Sequence, residues 1–189
     1  LEEIGVTTER GRIIVDENYQ TNVENLYAIG DCIGGIMLAH VASAEGIAAV
    51  EKMMGQESHI DFRTVPSCVY TSPELSGVGL TEKEAITKGI NYEVGKFPLV
   101  GNGKSLIIGE TSGLVKIIAD KETGEVLGMH MCGPNATELI VEGALAIHKK
   151  ATVEDLLATV HAHPSVGESL QEAAHAVFGN ALNMPPVRK

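Results

Sequence analysis

LVKIIADKETGEVLGMHMCG, residues 114–133, decides the fold. Val115, Ile117 and Ala119 alternate with Lys116, Ile118 and Asp120, the two-residue period of a strand with two different faces. Glu122-Thr123-Gly124 supplies a turn and a second apolar run follows, so the stretch predicts a β-hairpin. Upstream, PSCVYTSPEL (66–75) and GVGL (77–80) have strand composition. Thr81 with Glu84 forms a capping-box pattern that opens a short helix stopping at Gly89. Downstream, Asn135–Lys150 is an amphipathic helix with Asn135 and Glu138 as a second capping box. Thr152 starts a further short helix, and a last one runs from near Ser165 to about Gly179. Strands grouped first and helices grouped after them make an α+β fold, an antiparallel sheet with flanking helices.

The chain before this region has another character. GRIIV (Gly11–Val15) and NLYAIGD (Asn25–Asp31) are apolar runs bounded by turn residues, the pattern of buried strands. MLAHVASAEGIAAVEKMMG follows as an alanine-rich helix from near Met37 to a stop at Gly55. Gly46 inside it costs about 1 kcal/mol of helix propensity, which close packing against a strand explains. His59–Arg63 is the linker, dividing the chain into domains 1–63 and 64–189.

Composition narrows the function. The chain has 189 residues, 44% of them hydrophobic, and a net charge of −11. With no Lys/Arg cluster, that balance argues against nucleic acid and anionic membranes as partners. No apolar run approaches the roughly 20 residues of a membrane span. Tryptophan is absent, which disfavours a platform for stacked bases. Cys32, Cys68 and Cys132 form no CxxC cluster. They are expected to be buried, unpaired thiols in a reducing compartment, the cytoplasm, with Cys32 a small core residue. A start at Leu1, with neither Met nor a signal segment, marks the expected product as a piece of something longer.

HAHPSVGESLQEAA (161–174) carries the chemistry. Ser165-x-x-Glu168 fits a capping box. The same Glu168 also lies where it can orient His163 as a general base, fixing its tautomer and favouring the imidazolium. One carboxylate is not expected to serve both, so if Glu168 binds the ring, Ser165 must cap alone. His161 and His163 could share a metal only with a third ligand, and no His or Cys stands at metal-like spacing, so no metal is expected. In TNVENLYAIGD (Thr21–Asp31), Gly30 allows a ligand to approach the backbone and Asp31 can accept hydrogen bonds from sugar-like hydroxyls. A plain turn with Asp31 capping the next loop fits the same residues.

HAHPSVGE resembles the HxHPTxxE signature of the flavin-dependent pyridine nucleotide–disulfide oxidoreductases, with Ser165 keeping the hydroxyl of the usual Thr. PSCVYTSPELSGVGLTEKEA, GLVKIIADKETGEVLGMHMCGPNATELI, TNVENLYAIGD and MLAH resemble further segments of that family in the right order. The resemblance implies a dimerisation domain preceded by the tail of an α/β FAD-binding domain. It makes His163 the acid/base and Glu168 its partner. Gly30, Asp31, Met37, Leu38, Ala39 and His40 become FAD contacts, with Asp31 on the ribityl hydroxyls, although a hydrogen-bonded structural role also suits His40. The family branch most resembled implies oxidation of protein-bound dihydrolipoamide by NAD. Its partners would be a second copy of the chain and the lipoyl domains of 2-oxo acid dehydrogenase complexes or the glycine-cleavage protein. The family's G-x-G-x-x-G motifs and C-x4-C redox pair do not occur in these residues, so the resemblance implies a C-terminal share that is inactive alone. Two alternatives stay open: the same domain of a glutathione reductase-like enzyme, and a non-catalytic dimerisation module, which has no need of a His163/Glu168 pair.

Overall fold

The computed structural model describes residues 1–184, which fall into two compact units divided between Asp61 and Phe62. The last five residues of the expected second domain, 185–189, lie outside the described residues.

In the first unit, β1 (Thr8–Glu9) and β2 (Arg12–Ile13) form a minimal antiparallel hairpin, and α1 spans Ala39–Met53. Of the two buried strands expected here, GRIIV yields only the two-residue, unburied β2 and NLYAIGD yields none. Arg12 is exposed and pairs only with Glu9. Tyr27 meets Gln20 in an isolated bridge, and Gly30–Ile33 coil into a 3₁₀ turn. A strand exists through its ladder: GRIIV finds only the two residues of β1 to pair with, and NLYAIGD finds no neighbouring strand among the described residues. Cys32 is exposed rather than a core residue, because it lies in that turn, where its thiol bonds the Ile29 carbonyl. Helix α1 buries Val41, Glu45, Ala48 and Ala49, one stripe at helical spacing, and its C-cap Met54 is followed by Gly55 at φ +71°. A Cβ on Gly46 would meet Ile29 Cδ1 at 3.2 Å, so its close packing is against irregular chain, not a strand.

The second unit is a five-stranded antiparallel sheet. Its strands are β3 (Ser67–Val69), β4 (Glu74–Gly79), β5 (Tyr92–Pro98), β6 (Leu114–Asp120) and β7 (Val126–Gly133), in the order β3-β4-β7-β6-β5. The β6–β7 hairpin closes on Asp120, whose carboxylate accepts the Glu122 and Thr123 N–H groups. Its register shifts between Ile118 and Ala119, and Ile118 is buried out of phase with the alternation. Among the described residues five α-helices accompany the sheet: α2 (Glu82–Thr87), α3 (Gly103–Ile108), α4 (Ala136–Lys149), α5 (Val153–Ala158) and α6 (Glu168–Val177).

Cross-strand partners place Gly95, Ile117, Met129 and Val78 in one row on one face. Helix α4 sits over Met129 and Val78, which a Cβ on its Gly143 would strike. Helix α6 sits over Gly95, where a Cβ would lie 2.0 Å from the Ala173 carbonyl. Only glycine lets α6 come this close. The core between sheet and helices holds Phe97, Leu99, Ile117, Met129, Ile140 and Leu170, all fully buried and each contributing about 1.5–3 kcal/mol. The opposite face meets α2 through Glu82, which bridges Lys96 and Lys116.

The helix starts depart from local patterns in two places. Thr81/Glu84 forms its capping box, and Thr152 forms one with Asp155. The Asn135/Glu138 box does not form. Asn135 adopts a left-handed conformation, φ 58°, which turns it away from the extended backbone a cap requires. Glu74 of β4 replaces it, accepting the Thr137 N–H at 2.9 Å. Helix α6 begins at Glu168 rather than Ser165, because that glutamate is engaged with the chain preceding the helix.

Candidate functional site

Residues 159–167 cross from α5 to α6 as a turn held by side chains at three points. His161 is 8% exposed at its side chain. Its Nδ1 lies 3.0 Å from the Thr159 carbonyl and its Nε2 3.0 Å from Glu142 Oε1 on α4. Asn102, in front of α3, donates from Nδ2 to the Ser165 carbonyl at 3.0 Å. Glu168 accepts the Ser165 N–H at 2.9 Å on Oε2.

The other oxygen of Glu168 lies 2.8 Å from His163 Nδ1. The two oxygens of Glu168 thus divide between the ring and the turn ahead of the helix, and with the carboxylate so engaged no side chain caps α6 itself. Ser165, in turn, does not cap α6. Burial pulls the Glu168 carboxyl upward. The Ser165 N–H bond, the bond to His163 and the nearby His163 and His161 rings together outweigh it and hold Glu168 below the usual range. An ionised carboxylate only accepts, so the ring proton sits on Nδ1 and the lone pair on Nε2. The His163 side chain is 78% exposed. The result is an imidazole of fixed tautomer whose free nitrogen is open to solvent, an arrangement able to accept a proton.

The two histidines take different carboxylates, His161 on Glu142 and His163 on Glu168. Among the described residues no three His, Cys, Asp or Glu side chains gather to hold a metal, and no helix is long and apolar enough to cross a membrane.

In the first unit the remaining expected residues flank one short turn. Gly30 is buried at φ +71°, and what approaches it closely is Ala42 of α1, 3.0 Å from the Cβ a larger residue would carry. Its N–H donates to Glu45 Oε2 at 2.6 Å, so that N–H is already taken. Asp31 beside it is exposed, an acceptor open to hydroxyl groups. Met37, Ala39 and His40 are exposed and Leu38 half-buried at the start of α1. No side chain caps that start and no acidic residue occupies its first turn. An uncapped helix N-terminus favours a negatively charged group. This donor and acceptor set fits a flavin nucleotide, with ribityl hydroxyls for Asp31 and partial positive charge at α1 for the reduced ring.

Four residues of these sites escaped the sequence reading. Glu45 had a signal, a carboxylate on the buried stripe of α1. Asn102 had only a weak one, the Asn-x-x-Ser pattern of a helix cap, realised at 2.8 Å to the Ser105 N–H. Glu142 as the partner of His161 and Glu74 as the cap of α4 had none, since each acts across the fold.

Comparison with known proteins gives a consistent picture. Residues 65–174 match "Pyridine nucleotide-disulphide oxidoreductase, dimerisation domain", and residues 1–46 match "Pyridine nucleotide-disulphide oxidoreductase". Dihydrolipoyl dehydrogenase 2, mitochondrial, of Arabidopsis thaliana is 48% identical over 97% of the chain, which spans 36% of that protein. Dihydrolipoyl dehydrogenase of Bacillus subtilis is likewise 48% identical over 97% of the chain and 39% of its own length. Leghemoglobin reductase of Glycine max is 48% identical over 94% of the chain and 34% of its length. The chain thus spans little more than a third of these curated relatives. Among solved structures, LpdA from Mycobacterium tuberculosis superposes with a TM-score of 0.84 at 34% identity, covering 92% of the chain and 38% of that protein. The HOCl-induced flavoprotein disulfide reductase RclA from Escherichia coli superposes with 0.85 at 25% identity, covering 94% and 41%.

Proposed function

The chain belongs to the pyridine nucleotide-disulphide oxidoreductases, and from that premise we propose that it supplies the proton-transferring, flavin-contacting and dimer-forming share of a dihydrolipoyl dehydrogenase. The observation that carries this reading is the His163–Glu168 pair, a tautomer-fixed base exposed at the surface of a dimerisation domain.

His163 Nε2 takes the proton from one thiol of dihydrolipoamide. The thiolate attacks a redox disulfide, forming a mixed disulfide and releasing one of its sulfurs as thiolate. The second lipoyl thiol, losing its proton to solvent, then displaces the remaining protein sulfur as thiolate, leaving lipoamide oxidised and the protein disulfide reduced to two sulfurs. Glu168 keeps the proton on Nδ1 and stabilises the imidazolium. Asp31 and the start of α1, Met37 to His40, would hold FAD, and the bound flavin supplies the two-electron relay from dithiol to NAD. The disulfide and flavin that His163 serves belong to a partner subunit. Leu106, Ile107, Val141 and Leu145 support a homodimer, because they are large apolar side chains left exposed on the second unit. The lipoyl group arrives on a carrier domain of a multienzyme complex, and a reducing compartment such as the cytoplasm suits the three free thiols.

The test is a substrate comparison on the full-length flavoprotein. NADH formation from dihydrolipoamide is expected to exceed NADPH- or NADH-dependent reduction of glutathione disulfide by at least ~100-fold. The reverse preference would make this a glutathione reductase-like enzyme. A stable dimer turning over neither substrate would make it a dimerisation module.

A further inference from the structure

His163 has little packing to hold it, since most of its side chain faces solvent. Its position is set by a ring of bonds: Glu168 Oε1 to His163, Glu168 Oε2 to the Ser165 N–H, and the backbone between them. Ser165 is held at its other backbone polar group as well, by the Asn102 carboxamide at 3.0 Å. Asn102 itself is 3% exposed. Its Oδ1 accepts the Ser105 N–H at 2.8 Å while its Nδ2 reaches a residue 63 positions away. The short helix it caps places Leu106, Ile107 and Ile108 outward and contributes none of them to the core. Capping α3 therefore does not account for the second bond.

We infer that Asn102 is a positioning residue for the base: by holding the Ser165 carbonyl it fixes the turn on which the His163–Glu168 ring is mounted. The inference rests on the dihydrolipoyl dehydrogenase reading. Proton transfer tolerates little displacement of the base, and a shift of about 1 Å costs on the order of 100-fold in rate. Releasing one of the bonds on Ser165 lets the ring tilt while its own two bonds stay intact.

Asn102→Asp separates the two tasks, because it keeps an acceptor for the Ser105 N–H and removes the donor to Ser165. Asn102→Ser is a second variant, a good cap that is too short to reach the carbonyl. In the FAD-loaded full-length dimer, both are expected to lower kcat for dihydrolipoamide at least ~10-fold, with KM within ~2-fold and the pH profile of kcat displaced. Reduction of an artificial dye by NADH, which needs no thiol deprotonation, is expected to stay within ~2-fold. NMR of 15N-histidine-labelled protein should show an altered titration of the His163 ring. Unchanged dihydrolipoamide turnover, or a loss shared equally with dye reduction, overturns the inference. So does failure of both variants to assemble, which would make the role purely architectural. If the native protein fails to oxidise dihydrolipoamide, the functional reading falls. The His163 titration then decides the positioning role alone, an unchanged ring refuting it.

Discussion

Replacing Glu168 by Gln tests the shared carboxylate most sharply. The native group offers two acceptors, to the His163 ring at 2.8 Å and to the Ser165 N–H at 2.9 Å. A carboxamide has one. If its oxygen keeps the Ser165 N–H, its NH2 faces His163 Nδ1, and the ring must move its proton to Nε2, the nitrogen required as base. If the oxygen keeps the ring, two donors oppose each other at Ser165. The charge is lost in either case. An imidazolium and a carboxylate about 4 Å apart attract by about 1 kcal/mol in water and about 4 at an effective dielectric of 20. The 78% exposure of His163 puts the pair near the weak end, about 1–2 kcal/mol, or ~5–30-fold in rate. With the wrong tautomer added, the expected loss in kcat for dihydrolipoamide is ~10–100-fold. The assay is NADH formation by the full-length flavoprotein, with NADH-dependent dye reduction as the control. Turnover within ~2-fold of native, with the dye reaction also unchanged, would refute the reasoning.

Three further outcomes follow from the geometry. Gly95→Ala puts a Cβ 2.0 Å from the Ala173 carbonyl; α6 must shift, and thermal unfolding of the full-length protein should report a loss of about 1–3 kcal/mol. Glu45→Ala frees the Gly30 N–H and should weaken FAD retention at least ~10-fold by flavin fluorescence after dialysis, whereas Glu45→Gln, which still accepts that bond, should hold the cofactor nearly as well. Glu82 is held low by its bond to Lys116 and Glu84 by its cap on Thr81. A carboxylate lowered on folding stabilises above its unfolded range and loses that contribution as pH falls through its folded value. The melting temperature should therefore be steady from about pH 7 to 5 and drop below about pH 4.5, less steeply in Glu82→Gln; an equal drop in both would contradict the assignment of Glu82.

What the sequence made legible was what neighbouring residues decide. The β6–β7 hairpin, the Thr81 and Thr152 helix starts and the Gly55 and Gly89 stops depend on residues within a few positions. The contact between His163 and Glu168 was legible for the same reason, since the two are five apart. Long-range bonds stayed hidden. Glu74 caps α4, and Asn102 holds Ser165, each from 63 positions away. In the first unit composition does not decide pairing: NLYAIGD is apolar enough for a buried strand, yet a single bridge from Tyr27 is all the ladder it makes among the described residues.

One measurement decides most directly whether His163 is the base for thiol oxidation. Full-length His163→Ala and native protein, both loaded with FAD, are compared for NADH formation from dihydrolipoamide, with NADH-dependent dye reduction run alongside. If His163 is the base, the first reaction falls at least ~100-fold and the second is unchanged. Equal dihydrolipoamide turnover by the two proteins would contradict it and leave His163 a surface residue beside a well-ordered helix start.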